Sequence, residues 1–274
     1  MSGFHIHFRL KPLDDIAPWG EKTHRSLHWF GMTDSLLWID AGESTVYEYS
    51  DAFLRQWGGE RYNDYQLSRF LEDFSDTFRY VRESVPQKYY DMAERFRHTA
   101  YEWECMHIDD SEEEDDAFWR FMEEEYDPLT DWHWQRRFDS GHLVGGPVIG
   151  CFRCGEKLKF CWESDYLPEN GSSIWTAPSG VYEMPYSEFV SEVRAFYTAF
   201  FEAMDRQVTL ALQKDWGDVA VDKAYLAKEH AERKAGFFAC MDWLTRPCAP
   251  DEQTDWGRVD RIFDKMQQEI GGTL

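Results

Sequence analysis

The hydrophobic period of this chain changes three times, and the order of the periods constrains its fold more than any single motif. Phe4-His5-Ile6-His7-Phe8-Arg9-Leu10-Lys11 alternates apolar and polar side chains, the period of a half-buried strand, and Pro12 ends it. Residues 26–32 and 35–41 are predicted as short aromatic-rich strands, with Gly42-Glu43 turning into a strand over Thr45-Val46-Tyr47-Glu48-Tyr49. From Asp64 the spacing becomes helical: Leu67, Phe70, Leu71, Phe74, Phe78 and Val81 recur at three and four. Pro86 breaks this helix, and a second is predicted to about His98. The period returns to two over 142–163, with a hairpin turning at Gly155-Glu156. A further strand pair is expected around Pro178-Ser179-Gly180, from Ile174-Trp175-Thr176 and Val181-Tyr182-Glu183. After Pro185 the pattern is helical over 186–214, 222–244 and 255–270.

Strands, helices, strands and helices in that order do not alternate as βαβ units would. The expected class is α+β: an antiparallel sheet with helices packed on it and a helical C-terminal third. With no Pro/Gly/Ser linker and no internal repeat, residues 1–274 are expected to form one domain whose strand groups join one sheet.

Composition narrows the function. Residues 102–127 carry thirteen carboxylates and one basic side chain, Arg120, about half of the net charge of −23. Crowded carboxylates repel one another and destabilise the compact state, so a chain that keeps them is expected to use their field. Nucleic acid and anionic membranes carry the wrong sign. A basic protein fits. The partner surface is therefore placed on Asp109, Asp110, Glu112, Glu113, Glu114, Asp115, Asp116, Glu123, Glu124 and Glu125. Phe118, Trp119 and Tyr126 are its aromatic anchors, and Phe118, Trp119 and Met122 supply an apolar stripe. Aromatic residues at 17% exclude a disordered chain. No apolar run is long enough to cross a bilayer, and no signal-peptide pattern opens the chain. The expectation is a cytoplasmic protein whose six cysteines are reduced.

Motifs for chemistry fail one by one. Cys151-Phe152-Arg153-Cys154-Gly155 spells a zinc knuckle, but residues three apart on a strand face opposite ways and no second C-x-x-C completes four ligands. His5 and His7 share a strand face with Arg9 and Lys11, which oppose a cation. DDSEEEDDAFWR has Glu and Arg where a calcium loop needs Gly and Glu. There is no G-x-S-x-G, and Asp139-Ser140-Gly141-His142 is too compact for a spatial triad. Gly145-Gly146-Pro147 lacks the Lys-Ser/Thr of a phosphate loop. No cofactor, metal or catalytic residue is expected. A carboxylate-dependent hydrolase or sugar-active enzyme is the alternative, with Trp29, Trp38, Trp132 and Trp134 lining its cleft.

Several blocks in order resemble an uncharacterised bacterial domain family of unknown function. They are Leu10-Lys11-Pro12-Leu13-Asp14 with Pro18-Trp19-Gly20, and the segments 27–42, 63–74, 140–164 and 174–204. The resemblance spans roughly residues 4–210. It implies an ordinary strand pair at the hairpin and no catalytic residues, and the acidic run 109–116 stands outside its pattern. Its general look is similar to acidic bacterial proteins that neutralise secreted toxins. The leading expectation is a cytosolic immunity protein that binds a basic effector, for example a nuclease.

Overall fold

The computed structural model describes residues 3–21, 24–108, 116–164, 166–168 and 171–272. The first layer is an antiparallel sheet of β1 (Phe4–Leu10), β2 (Asp34–Ala41), β3 (Ser44–Val46) and β4 (Asn63–Gln66). β1 pairs with β2 along its whole length, from Phe4 opposite Ala41 to Leu10 opposite Ser35, while β4 pairs with the start of β2. Between β3 and β4 lies a short helix, α1 (Asp51–Trp57), capped by the Ser50 hydroxyl, which accepts from the Phe53 amide at 3.1 Å. α2 (Leu67–Val81) follows β4 directly, and its six predicted apolar positions are all buried.

The strands after residue 136 form a second sheet of their own, ordered β5 (Arg137–Phe138), β6 (Val148–Cys154), β7 (Lys157–Glu163) and β8 (Ser179–Pro185). The expected single sheet is thus two. They meet through side chains, with the Phe4 and Phe160 rings 4.9 Å apart. An alternating pattern says which face of a strand is buried, not which strand it pairs with. Residues 174–176 bridge to the first layer at Tyr49 opposite Trp175, and β8 takes the place beside β7. Residues 26–32 are likewise not a strand. Their polar groups are bound elsewhere: the Leu27 amide donates to Ala220 O, and the Trp29 indole donates to His230 Nδ1 at 3.1 Å.

β6 and β7 join at Gly155, whose φ of +57° suits a residue without Cβ, and Cys154 pairs with Lys157 across the turn. The hairpin has two buried faces. Cys151, Leu158, Phe160 and Trp162 enter a first core with sheet one, α2, and the long helices α7 (Tyr186–Gln213) and α8 (Lys223–Met241). Phe152 and Cys161 enter a second core. That core is closed by α3 (Gln87–Met92), α4 (Phe96–His107), α6 (Asp127–Trp134) and α9 (Trp256–Gly272). Among the described residues no helix is long and apolar enough to cross a membrane.

Charged groups lie beneath the second layer. Glu83 accepts from Arg136, from the Thr254 amide and hydroxyl at 2.8 Å each, and from the Trp256 indole at 3.0 Å. Arg136 also donates to Trp132 O at 2.6 Å. Next to it Arg82 pairs with Glu252 at 2.8 Å, donates to Pro247 O at 2.8 Å and stacks 4.6 Å from the Trp243 ring. The segment leading into α9 is therefore tied to the end of α2 and to α6 by buried ions.

His133 of α6 is buried against the Phe152 ring, and its Nε2–H donates to Ala93 O at 2.8 Å. Burial holds its pKa well below the usual range, and Arg137, Arg136 and Arg97 push the same way against that hydrogen bond. The folded protein thus keeps His133 neutral, while the unfolded chain takes a proton near pH 6.5. Stability is present above that pH and falls as pH drops through it, by at most about 1.4 kcal/mol per pH unit for this group. Urea unfolding at pH 7.5, 6.5 and 5.5 should show a flatter pH dependence for His133→Gln than for wild type. Parallel curves would refute the assignment.

Candidate functional site

The helix that leads into the predicted acidic run, α4, is anchored to the end of α9. Trp103 is fully buried and donates its indole N–H to Glu269 at 2.6 Å, and His107 approaches the same carboxylate at 3.2 Å. Burial opposes the charge on Glu269, but those hydrogen bonds and Lys265 outweigh it and hold its pKa below the usual range. His107 stacks on Phe121 at 3.8 Å, which seats α5 (Asp116–Phe121) against α4.

A π-type turn over Met122–Tyr126 follows α5. The extra residue in such a turn changes the helical phase. Phe121 and Tyr126, five apart, both face inward and are buried. This corrects the expected anchors. Tyr126 is a core residue whose phenol, raised in pKa by burial and by its hydrogen bond to Glu104, is not available to a partner. Phe118 and Met122 pack partly buried against the second core. Trp119 alone of the named aromatics stands out, 50% exposed.

Of the acidic positions, Glu123 and Glu124 are exposed, and Glu125 is half-buried in an ion pair with Lys265. Asp109, Asp110, Glu112, Glu113, Glu114 and Asp115 lie outside the described residues, as does the side chain of Asp116. Sequence reasoning missed the outer face of α4. Tyr101 and Met106 are exposed there, as is Glu102, and Ile108 is exposed directly after the helix, giving the acidic end an apolar component.

The sequence's other candidates are dispersed. Cys151 faces the first core and Cys154 packs on the second, so the C-x-x-C pair points to opposite faces as expected. Burial raises the pKa of the Cys151 thiol, and that of Cys161 to about 12. His7 contacts Asp40 at 2.9 Å, and its ring stacks on Trp38. Among the described residues no group of three or more His, Cys, Asp or Glu could hold a metal ion. The four tryptophans do not share a cleft. Trp29 is in the first core, Trp132 in the second, and Trp38 is sandwiched between His7 and Tyr62 at 5.1 and 4.2 Å.

Two concavities flank Arg137. One, of about 210 Å³, is lined by Arg69, Asp73, Asp76, Phe138 and Asp139 as well as Arg137. Burial raises the pKa of Asp73, the adjacent Arg69 at 2.8 Å works against this, and the Asp139 charge adds to it. The other, of about 300 Å³, opens between the α3–α4 corner and the rim of the second sheet.

Residues 5–262 match the model of one protein family, described as a family of unknown function (DUF5984). The match runs beyond the blocks that carry the resemblance and into α9. No curated protein and no solved structure matches the chain.

Proposed function

We propose, for a chain that belongs to this family of unknown function, a role as a cytoplasmic immunity protein that binds and neutralises a basic effector toxin. The observation that carries the reading is the acidic helical end. Tyr101, Met106 and Glu102 are exposed on α4, Trp119 on α5, Ile108 directly after α4, and Glu123 and Glu124 in the turn after α5, with α4 and α5 packed together through His107 and Phe121. Carboxylates steer a basic partner and set the association rate, whereas desolvated aromatic side chains set how long it stays. At about 0.15 M salt the Debye length is about 8 Å, so only a dense cluster projects a useful field.

The partner is sought first as the product of the neighbouring gene, captured by pull-down. Replacing Glu112–Asp116 with Gln, Asn and Ser should slow association and flatten its salt dependence. Trp119→Ala should speed dissociation, with a loss of about 2 kcal/mol in affinity. Unchanged rates, with undiminished protection of toxin-expressing cells, would sink the proposal. The hydrolase reading has one observation in its favour, the raised pKa of Asp73 in its cleft. Turnover of an ester, nucleotide or glycoside that survives repurification and is abolished by Asp73→Asn would replace the first reading by the second.

A further inference from the structure

We propose that the cleft between the α3–α4 corner and the rim of the second sheet binds a small organic anion with an apolar body. The cleft encloses about 300 Å³, and its floor is apolar: Ala93, Val148, Cys161, Gly180 and Val181 line it. That volume lies at the lower end of the range for small-molecule sites, which are mostly apolar with a few placed polar groups. It exists because α4 begins at Phe96 and leaves the outer face of β8 uncovered, so that Val181 is 45% exposed.

The charges around it select the sign of the ligand. Its two carboxylates are already engaged: Glu94 holds Lys159 at 2.7 Å, and Glu163 holds His98 at 2.7 Å. Glu94 is offset by a fixed cation, and Glu163 is hydrogen-bonded to an imidazole. The guanidiniums of Arg95 and Arg137 line the same walls, and Arg95 makes no ion pair with any described residue. Arg95, Arg137 and Lys159, the fixed cations at the cleft, outnumber its two carboxylates. An anionic head meets that excess while its body covers the floor. Cys161 supplies only apolar surface, because burial raises its pKa to about 12 and leaves no thiolate to react.

The inference is independent of the partner proposed above. The test uses the full chain, ¹⁵N-labelled, titrated with phenylacetate, phenyl phosphate, neutral phenylacetamide and cationic phenethylamine. Both anions should bind saturably, with a Kd on the order of 1 mM or below. Amide shifts should centre on residues 93–98, 161–163 and 179–181. Tighter binding of phenyl phosphate assigns a phosphate ligand, and tighter binding of phenylacetate a carboxylate; either upholds the anion site. Arg95 is exposed, so Arg95→Glu should leave the spectrum folded and weaken both anions by about tenfold or more, the loss of a hydrogen bond to a charged group. Val181→Trp, which fills the cleft, should abolish binding. Equal binding of phenylacetamide, tighter binding of phenethylamine, shifts centred elsewhere, or no effect of Arg95→Glu would each overturn the proposal.

Discussion

Glu83→Ala should destabilise the fold by about 3–5 kcal/mol, among the largest losses expected from a single substitution here. The reason is what the mutation leaves behind. Arg136 is fully buried, and Glu83 is the carboxylate it pairs with. Burial lowers the pKa of the guanidinium, and Glu83 offsets this by favouring the charged form. Without Glu83 a buried cation stands unpaired, and the Thr254 amide and Trp256 indole lose their acceptor. A buried pair is costly to break but not especially favourable to have. The Glu83→Met/Arg136→Met double variant should therefore recover the part of the loss that the unpaired cation causes, though not the part that comes from the Thr254 and Trp256 donors. Glu83→Gln, which keeps an acceptor but no charge, should fall between. Urea unfolding gives the magnitude, and hydrogen exchange in α9 gives the location. A loss below about 1 kcal/mol for Glu83→Ala, or a double variant worse than the single, would show that the network does not hold the C-terminal segment.

Phe160→Ala should cost a comparable amount, about 3–5 kcal/mol. Phe160 is 1% exposed and faces Phe4 at 4.9 Å and Trp162 at 5.8 Å. Its ring does what a continuous ladder would have done had the strands formed one sheet: it holds the layers together. Truncation removes the transfer free energy of the ring and leaves a cavity that sheets fixed by their own hydrogen bonds cannot easily close. It also removes aromatic pairing, worth about 0.5–1.5 kcal/mol per contact. Phe160→Leu should cost distinctly less. Equal losses for Leu and Ala would mean that ring packing between the sheets contributes nothing specific.

These two sites differ in how far they could be read beforehand. Phe160 belongs to an alternation, Leu158-Phe160-Trp162, that specifies a buried face. The helices α2, α7 and α9 were legible for the same reason, since their apolar stripes are regular, whereas α8 buries only Leu226, His230, Phe237 and Met241. Glu83 and Arg136 were not. A charged side chain in a sequence reads as surface, and only the folded chain brings a residue after α2 next to one after α6. The strand read over Thr45–Tyr49 ends at Val46, and the Ser50 cap just beyond it was a readable signal for α1, which was not predicted. Trp29 shows how aromatic richness misleads: its segment is ordered by an indole bond to His230, whose Nε2–H then donates to Asp205 at 2.8 Å. At the candidate site, the acidic composition was plain but the anchors were not. The turn after α5 shifts the helical phase by one residue, and with it the side that Tyr126 faces.

The β6–β7 hairpin sends neighbouring side chains into different cores: one face packs with sheet one and α7, the other with α3, α4, α6 and α9. A change of side-chain volume on the hairpin is therefore felt by one core, whereas a slip of its register would exchange the two faces and disturb both. The two cores share this wall, so each sets its own condition on the same pair of strands.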